Sequence, residues 1–530
     1  MSDRPTPGER LDDPVELTVW RHLLSALTEE MGVVLGRAAF SPNIKERRDF
    51  SCALFEPGGE MVAHAAHIPV HLGATPLSVA AARAALDLGP GDVAILNDPF
   101  AGGTHLPDLT SVEAVFDERG ERLLGLVAVR AHHADVGGER PGSMPLTDHI
   151  DAEGVRLPPT LVQRAGAPVG AAIEAFANAS RDPAERRGDL EAQLAASRAG
   201  AARLRSLADR FGEARLDAAL QGLVAHAGRA MRATLRALPD GRFEARDWLD
   251  DDGRGHGPLE LHLALTLEGE RATLDFRGSA DACEGPLNAV RAIVVSATLY
   301  ALRLLTDDDV PDSSGLLEPV EILTRPGSIL DARHPSPVAG GNVETSQRVV
   351  DLILAALAGA LPGEIPAQSQ GTMNNVLMGG SRPHPWAYYE TLGGGAGAGP
   401  GRAGASAVHS HMTNTLNTPI EVIEHTTPLR VLAYRLRRGS GGAGARPGGE
   451  GLVRGYLALE PTEVTLVGER RERAPAGAAG GGAGLPGAER IVRAGGRKEA
   501  LPAKCEVRLE PGDALWIETP GGGGHGVPEP

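Results

Sequence analysis

The side chains with chemical reach fall in a few short clusters. Asn97-Asp98-Pro99-Phe100-Ala101-Gly102-Gly103-Thr104-His105-Leu106-Pro107-Asp108 places two aspartates, an asparagine and a histidine in a Gly/Pro loop after a short apolar run. Ala131-His132-His133-Ala134-Asp135 repeats the HxxD spacing of His105 and Asp108 at the end of another apolar run. Two imidazoles and two carboxylates converging from strand ends form a nitrogen and oxygen ligand set that suits Mn, Zn or Fe(II). On a strand His132 and His133 point to opposite faces, so only one of them faces such a site. HxxD pairs also arise by chance in a chain with 17 histidines, where they only hydrogen-bond within loops.

Other polar groups extend the set. Ser41 to Ser51 is a dense charged run in which Glu46 or Asp49 offers a further carboxylate; its plainer reading is a solvated helix end. His64, His67 and His71 have helical spacing, but Pro69 interrupts it, which favours individually satisfied histidines over a His-only metal site. Gly341-Asn342-Val343-Glu344-Thr345-Ser346-Gln347 precedes a helix, so Asn342 is either a cap or part of a polar pocket lining. The segment from His409 to Pro419 holds His411 and Asn414 among many hydrogen-bonding side chains. Gly399-Pro400-Gly401-Arg402-Ala403-Gly404 fits GxGxxG by letter, yet lacks the strand–turn–helix setting of a dinucleotide site. A Walker loop and a GxSxG elbow are absent from the sequence.

The elements that must position these groups are legible from periodicity. Asp13-Pro14 opens a helix running to about position 37. Strands are expected at 50–55, 61–64, 93–96, 110–116 and 123–131, and a helix over 76–88. Positions 169–237 predict two or three long helices with a break near Phe211-Gly212, most economically a helical hairpin. A β-hairpin is expected over 259–276, with helices over 289–305 and 344–361. From Gly393 onward, Gly-rich inserts at 393–404, 439–451 and 475–487 read as mobile surface loops on a β-rich lobe, and Thr519 to Gly526 as a flexible tail or a loop closing over substrate. The expectation is a mixed α/β, multi-lobed chain: an N-terminal α/β lobe with the metal site over 1–165, a helical segment over 166–240, a central α/β lobe over 241–392 and a Gly-rich β lobe over 393–530.

Composition closes off several functions. The 530 residues carry 69 acidic and 52 basic side chains, a formal net charge of −17, which disfavours nucleic acid and anionic membrane surfaces as partners. Cys52, Cys283 and Cys505 are isolated, so neither a disulfide scaffold nor a thiolate zinc site is expected. The polar N-terminus lacks the apolar run of a secretory signal, and no apolar stretch is long enough for a transmembrane helix, so a cytoplasmic protein is expected. Lys45, Lys498 and Lys504 are the only lysines.

Taken together, Ser41–Ser51, Asn97-Asp98-Pro99, Gly102-Gly103-Thr104-His105, Pro107-Asp108, His132 to Gly138, Gly341 to Gln347, His411-Met412-Thr413-Asn414-Thr415 and Pro520-Gly521-Gly522-Gly523 resemble the B component of the hydantoinase/oxoprolinase family, in order and over nearly the whole length. The resemblance implies a hetero-oligomeric enzyme. A sugar-kinase/actin-like A component would bind ATP and phosphorylate a small cyclic-amide substrate, and this chain would complete ring opening. By the same resemblance Glu46, His105, Asp108 and one of His132 and His133 hold a divalent metal that lowers the pKa of a water. Asp98, Asp135 and His411 are the catalytic candidates, with Asp135 orienting a histidine ligand; Asn97, Asn342, Glu344 and Asn414 are the substrate-binding ones. Oxoprolinase-type members are expected to carry an Arg in the Thr-Asn-Thr motif where this chain has Leu416. A missing guanidinium favours a neutral ring such as a hydantoin over a free carboxylate. The alternatives are a 5-oxoprolinase and the metal-dependent component of an ATP-dependent ketone carboxylase, whose relative in acetone carboxylases holds manganese. An inert scaffold for the A component is the non-enzymatic reading.

Overall fold

The structure, a computed structural model, describes residues 11–65, 67–380 and 385–528. The polar stretch 1–10, on which the absence of a signal was read, lies outside the described residues. Asp13 caps helix α1 (Pro14–Ala38) by accepting from Val15 N at 3.0 Å, with Pro14 at the first helical position. Its buried stripe of Leu17, Trp20, Leu24, Leu27, Met31 and Leu35 follows the 3.6-residue period. A single turn, α2 (Pro42–Lys45), leads into the first sheet.

That sheet contains β1 (Phe50–Phe55), β2 (Met61–His64), β3 (Val93–Leu96), β4 (Asp108–Phe116), β5 (Leu123–His132), β6 (Thr160–Arg164) and β7 (Ala167–Pro168), in the order β2-β1-β5-β4-β3-β6-β7. The short helices α3 (Pro69–Leu72) and α4 (Ala74–Ala85) lie between β2 and β3. All pairings are antiparallel. The central strands are buried on both faces, which explains why they read as apolar runs without clean alternation. One face meets α1 and the long helix α6 (Pro183–Phe211) through Cys52, Leu54, Val127 and Val129. The other joins the main core through Ala53, Phe55, Val112 and Ala128. After the short helix α5 (Ala172–Ala179), α6 and α7 (Glu213–Ala237) pack on each other as the expected hairpin, turning at Gly212 with φ 88°.

A second sheet, β8 (Gly241–Leu249), β9 (Leu259–Glu268), β10 (Arg271–Asp275) and β11 (Val320–Leu323), runs β11-β10-β9-β8. Helices α8 (Arg291–Arg303) and α9 (Ser346–Ala360) pack on each other, and α9 also covers β8 and β9. A π-helical turn, Gly341–Thr345, feeds α9. The chain then builds two antiparallel sheets. One is β13-β12-β16-β19, from β12 (Asn375–Gly380), β13 (Trp386–Thr391), β16 (Thr462–Val467) and β19 (Lys504–Leu509). The other is β14-β15-β20-β17-β18, from β14 (Leu429–Arg437), β15 (Gly451–Ala458), β17 (Ala488–Val492), β18 (Lys498–Leu501) and β20 (Ala514–Glu518), with α10 (Ile420–Thr426) ahead of β14. The architecture is mixed α/β with several sheets and a β-rich C-terminal part.

The Gly-rich segments differ from the expected mobile loops. They interlock: Gly395 N donates to Pro520 O, Ala398 N to Gly523 O, Gly522 N to Gly449 O and Gly524 N to Gly482 O, at 2.9–3.0 Å. A Cβ on Gly397 would stand 1.8 Å from Ala367 O, and one on Gly521 1.9 Å from Ser440 O. Backbones approach this closely only where side chains are missing, so glycine here builds a hydrogen-bonded interior. Residues 520–525 are buried in it.

Candidate metal centre

The β4–β5 register sets Asp108 directly opposite His132. His105 arrives from the Gly/Pro loop before β4. His105 Nε2 lies 3.1 Å from Asp108 Oδ1, and His132 Nδ1 lies 3.3 Å from the same oxygen. His105, Asp108 and His132 are the group of three such side chains among the described residues whose ligand atoms lie within 4.8 Å of one another, and all three are buried. Asp108 Oδ1 nevertheless has no hydrogen bond of acceptable geometry, and neither do His105 Nδ1 and His132 Nε2.

The donor set fits a divalent ion. Ligand bonds of about 2.0–2.1 Å in tetrahedral or octahedral geometry leave neighbouring donors about 2.8–3.4 Å apart, a range that contains the 3.1 and 3.3 Å spacings around Asp108 Oδ1. Burial pushes the Asp108 carboxyl up, but the close imidazoles of His105, His71 and His132 hold it well below the usual carboxylate range. Burial lowers the His132 imidazole, against the opposing pull of Asp108 and Asp49. An ionised carboxylate beside a neutral imidazole is the protonation state that a metal requires.

A further ring of groups orients these three. Asn342, in the π-helical turn, places Nδ2 3.0 Å from His105 Nε2. His71 Nε2 stands 3.3 Å from Asp108 Oδ2, with its Nδ1 2.9 Å from Ser51 Oγ. Tyr389 stacks on His132 with ring centroids 4.7 Å apart, and its hydroxyl donates to Asn375 Oδ1 at 2.9 Å. Asn375 Nδ2 in turn donates to Glu344 Oε1 at 2.7 Å. The fully buried Arg47 guanidinium lies over the Tyr389 ring at 4.7 Å.

The remaining expected residues lie elsewhere or do other work. His133 turns to the opposite sheet face, as strand alternation requires, with Nε2 3.2 Å from Gln193 Oε1 and Nδ1 2.8 Å from an Arg186 nitrogen. Burial and then Arg186 push it down to about 3. Glu46 is the half-buried C-cap of α2 and is not in the His105–Asp108–His132 group. Asp49, the other carboxylate of that run, is buried, and its carbonyl accepts from His132 N at 2.9 Å. Asp98 caps Phe100 N and pairs with Arg156 at 3.0 Å. Asn97 clamps Leu106 O, Val155 O and Leu157 N. Asp135 accepts from Gly137 N, Gly142 N and Arg181. His411 has Nε2 3.4 Å from Asp351 Oδ1 and lines a cavity of about 880 Å³ with Tyr300 and Ser410. Burial raises the Asp351 carboxyl, but Arg470 and His411 hold it at about 2. Asn414 Nδ2 donates to His67 O at 3.0 Å. The HxxD spacing gave no sign of His71, which joins the cluster from α3; its own His64/His67 neighbours pointed away from it.

The chain belongs to the Hydantoinase B/oxoprolinase family, whose pattern matches residues 13–528. It is 38% identical to 5-oxoprolinase 1 of Arabidopsis thaliana over 98% of this chain and 42% of that protein, so it spans about two fifths of that relative's length. It is 30% identical to a Pseudomonas sp. (strain NS671) protein provisionally named as the second component of a D-/L-hydantoinase, over 97% of this chain and 90% of that protein. The fold superposes on the ATP-dependent caprolactamase from Pseudomonas jessenii with a TM-score of 0.91 at 27% identity, covering 98% of this chain and 92% of that chain. Among the described residues no helix is long and apolar enough to cross a membrane.

Proposed function

We propose that this chain is the B component of an ATP-dependent cyclic-amide hydrolase, opening a ring whose amide oxygen is phosphorylated by a sugar-kinase-like A partner. The observation that carries the reading is the convergence of His105, Asp108 and His132 on one unsatisfied carboxylate oxygen, in a chain whose relatives are named for lactam and hydantoin substrates. His105, Asp108 and His132 would hold a divalent ion, which when bound would supply Lewis acidity and lower the pKa of a nearby water. Asn342 and His71 fix the orientation of His105 and Asp108, and Tyr389 holds the plane of His132. His411, 3.4 Å from Asp351 and lining the large cavity, is the candidate in this reading for delivering a proton to the ring nitrogen as the C–N bond breaks. The balance is one cyclic amide, one ATP and two waters giving the opened product, ADP and phosphate.

The test mixes the chain with its A partner, ATP and a panel of hydantoin, caprolactam and 5-oxoproline. Phosphate release in step with ring opening is expected, and no turnover across the panel refutes the reading. The name of the Arabidopsis relative favours a second reading, 5-oxoproline as substrate. Leu416 in place of an arginine favours the neutral rings, and the panel separates the two.

A further inference from the structure

A second polar site lies between the C-terminal half of α1, the turn from α2 into β1, and the loop carrying Asn414. It is a hollow of about 450 Å³ rimmed by Arg37, Lys45 and Arg48. All three are exposed, and none of their side chains is held by a hydrogen bond or ion pair among the described residues. The adjacent Arg47 is the contrast: it is fully buried and committed to Asn43, Thr391 and the Tyr389 carbonyl. Glu29 is the one carboxylate on the wall, with Oε2 3.9 Å from His67 Nε2. In a chain of net charge −17, three uncommitted cations around one hollow run against the overall field.

The backbone holds this arrangement in place. Arg48 has φ 55°, a left-handed conformation that a non-glycine residue adopts at a cost the surrounding structure must offset. Gly32 leaves room for the imidazole beneath the hollow, because a Cβ there would come 2.6 Å from the His67 ring. The floor connects to the metal centre: Ile68 N donates to Ser51 Oγ at 3.3 Å, Ser51 Oγ lies 2.9 Å from His71 Nδ1, and His71 Nε2 reaches Asp108 Oδ2 at 3.3 Å.

We propose that this hollow binds a phosphoryl dianion, carried by the phosphorylated substrate or left as free phosphate. The proposal rests on the ATP-dependent reading above. Two guanidinium forks and an ammonium match the three oxygens and the double charge of a phosphoryl group, whereas a carboxylate engages a single fork. The hollow is also roomy enough for a small ring beside the phosphoryl group.

The test is equilibrium binding to the full chain alone, without partner, ATP or turnover. Inorganic phosphate and phenyl phosphate are titrated by calorimetry at constant ionic strength. Saturable binding is expected, weakened about tenfold or more in Arg37→Gln/Lys45→Gln/Arg48→Asn, where asparagine tolerates the left-handed backbone. Arg119→Gln, exposed in the β4–β5 turn, leaves binding as in the parent. Tighter binding of phenyl phosphate assigns the hollow to the substrate's phosphoryl group, and tighter binding of inorganic phosphate assigns it to the product. Absence of saturation, equal binding by the folded triple variant, or saturation by 5-oxoproline with neither phosphate probe overturns the proposal. Failure here leaves the hydrolase assay standing, and failure of that assay leaves this binding result standing.

Discussion

Glu344 offers the sharpest quantitative test of the buried scaffold beside the metal centre. Its carboxyl is fully buried; Oε1 accepts from Met373 N at 3.0 Å and Asn375 Nδ2 at 2.7 Å, and Oε2 has no partner. Burial, reinforced by the nearby Glu469 and opposed by the Thr372 hydroxyl, Lys504 and Arg471, pushes the carboxyl up to about 8. Between its ordinary value of 4.5 and about 8 the folded chain keeps a proton that the unfolded chain has released. The contribution of this group is therefore complete at low pH and is lost as pH rises, by about 1.4 kcal/mol per pH unit. From pH 5 to pH 7 the loss amounts to about 3 kcal/mol. Glu344→Gln keeps the acceptor oxygen and cannot ionise, so it escapes this loss. Glu153, likewise raised to about 8 by burial, is common to both proteins and cancels. Thermal unfolding of parent and variant at pH 5, 6, 7 and 8 should show the variant gaining about 3 °C relative to the parent between pH 5 and pH 7, given the unfolding entropy of a chain this long. A difference independent of pH, or one that moves in the parent's favour, refutes the assignment of Glu344 as a neutral buried acid.

Three further substitutions separate the candidate metal group from its surroundings. His132→Ala should abolish the bound metal measured by elemental analysis. His133→Ala should retain it and instead lower stability by about 2–4 kcal/mol in denaturant unfolding, because Gln193 and the buried Arg186 each lose one buried partner and a cavity is left. Asn342→Ala removes the group against His105 and should weaken metal affinity about 10- to 100-fold in a competition titration with a chelator, with the far-ultraviolet circular dichroism unchanged.

Where periodicity is strong, elements can be read directly. The capped α1, the strands β4 and β5, and the break at Gly212 all follow from local rules. His132 and His133 are separable in principle by strand alternation alone, although deciding which faces inward requires knowing what covers each side: α6 on one, the main core on the other. His71 and Tyr389 are out of reach, because they arrive from elements distant in sequence whose only link to Asp108 and His132 is tertiary packing. Asn342 shows the limit of cap reasoning. Its place before a helix suggests a cap, yet the chain enters α9 through a π-helical turn, which swings the amide towards His105. The Gly-rich segments mislead for a related reason. Low-complexity glycine signals freedom when segments are considered singly, and mutual close approach emerges only once several are brought together.

That interior has an implication for how the protein is made. Its hydrogen bonds join residues near positions 395, 449 and 482 to the stretch 520–524, so it cannot be completed until that stretch has left the ribosome. Until then the Gly-rich segments among about 130 residues, from position 395 onward, wait for these final partners. Completion of this region is then a late event, and removing the stretch from Pro520 onward would leave carbonyls and amides of three separate segments without these partners.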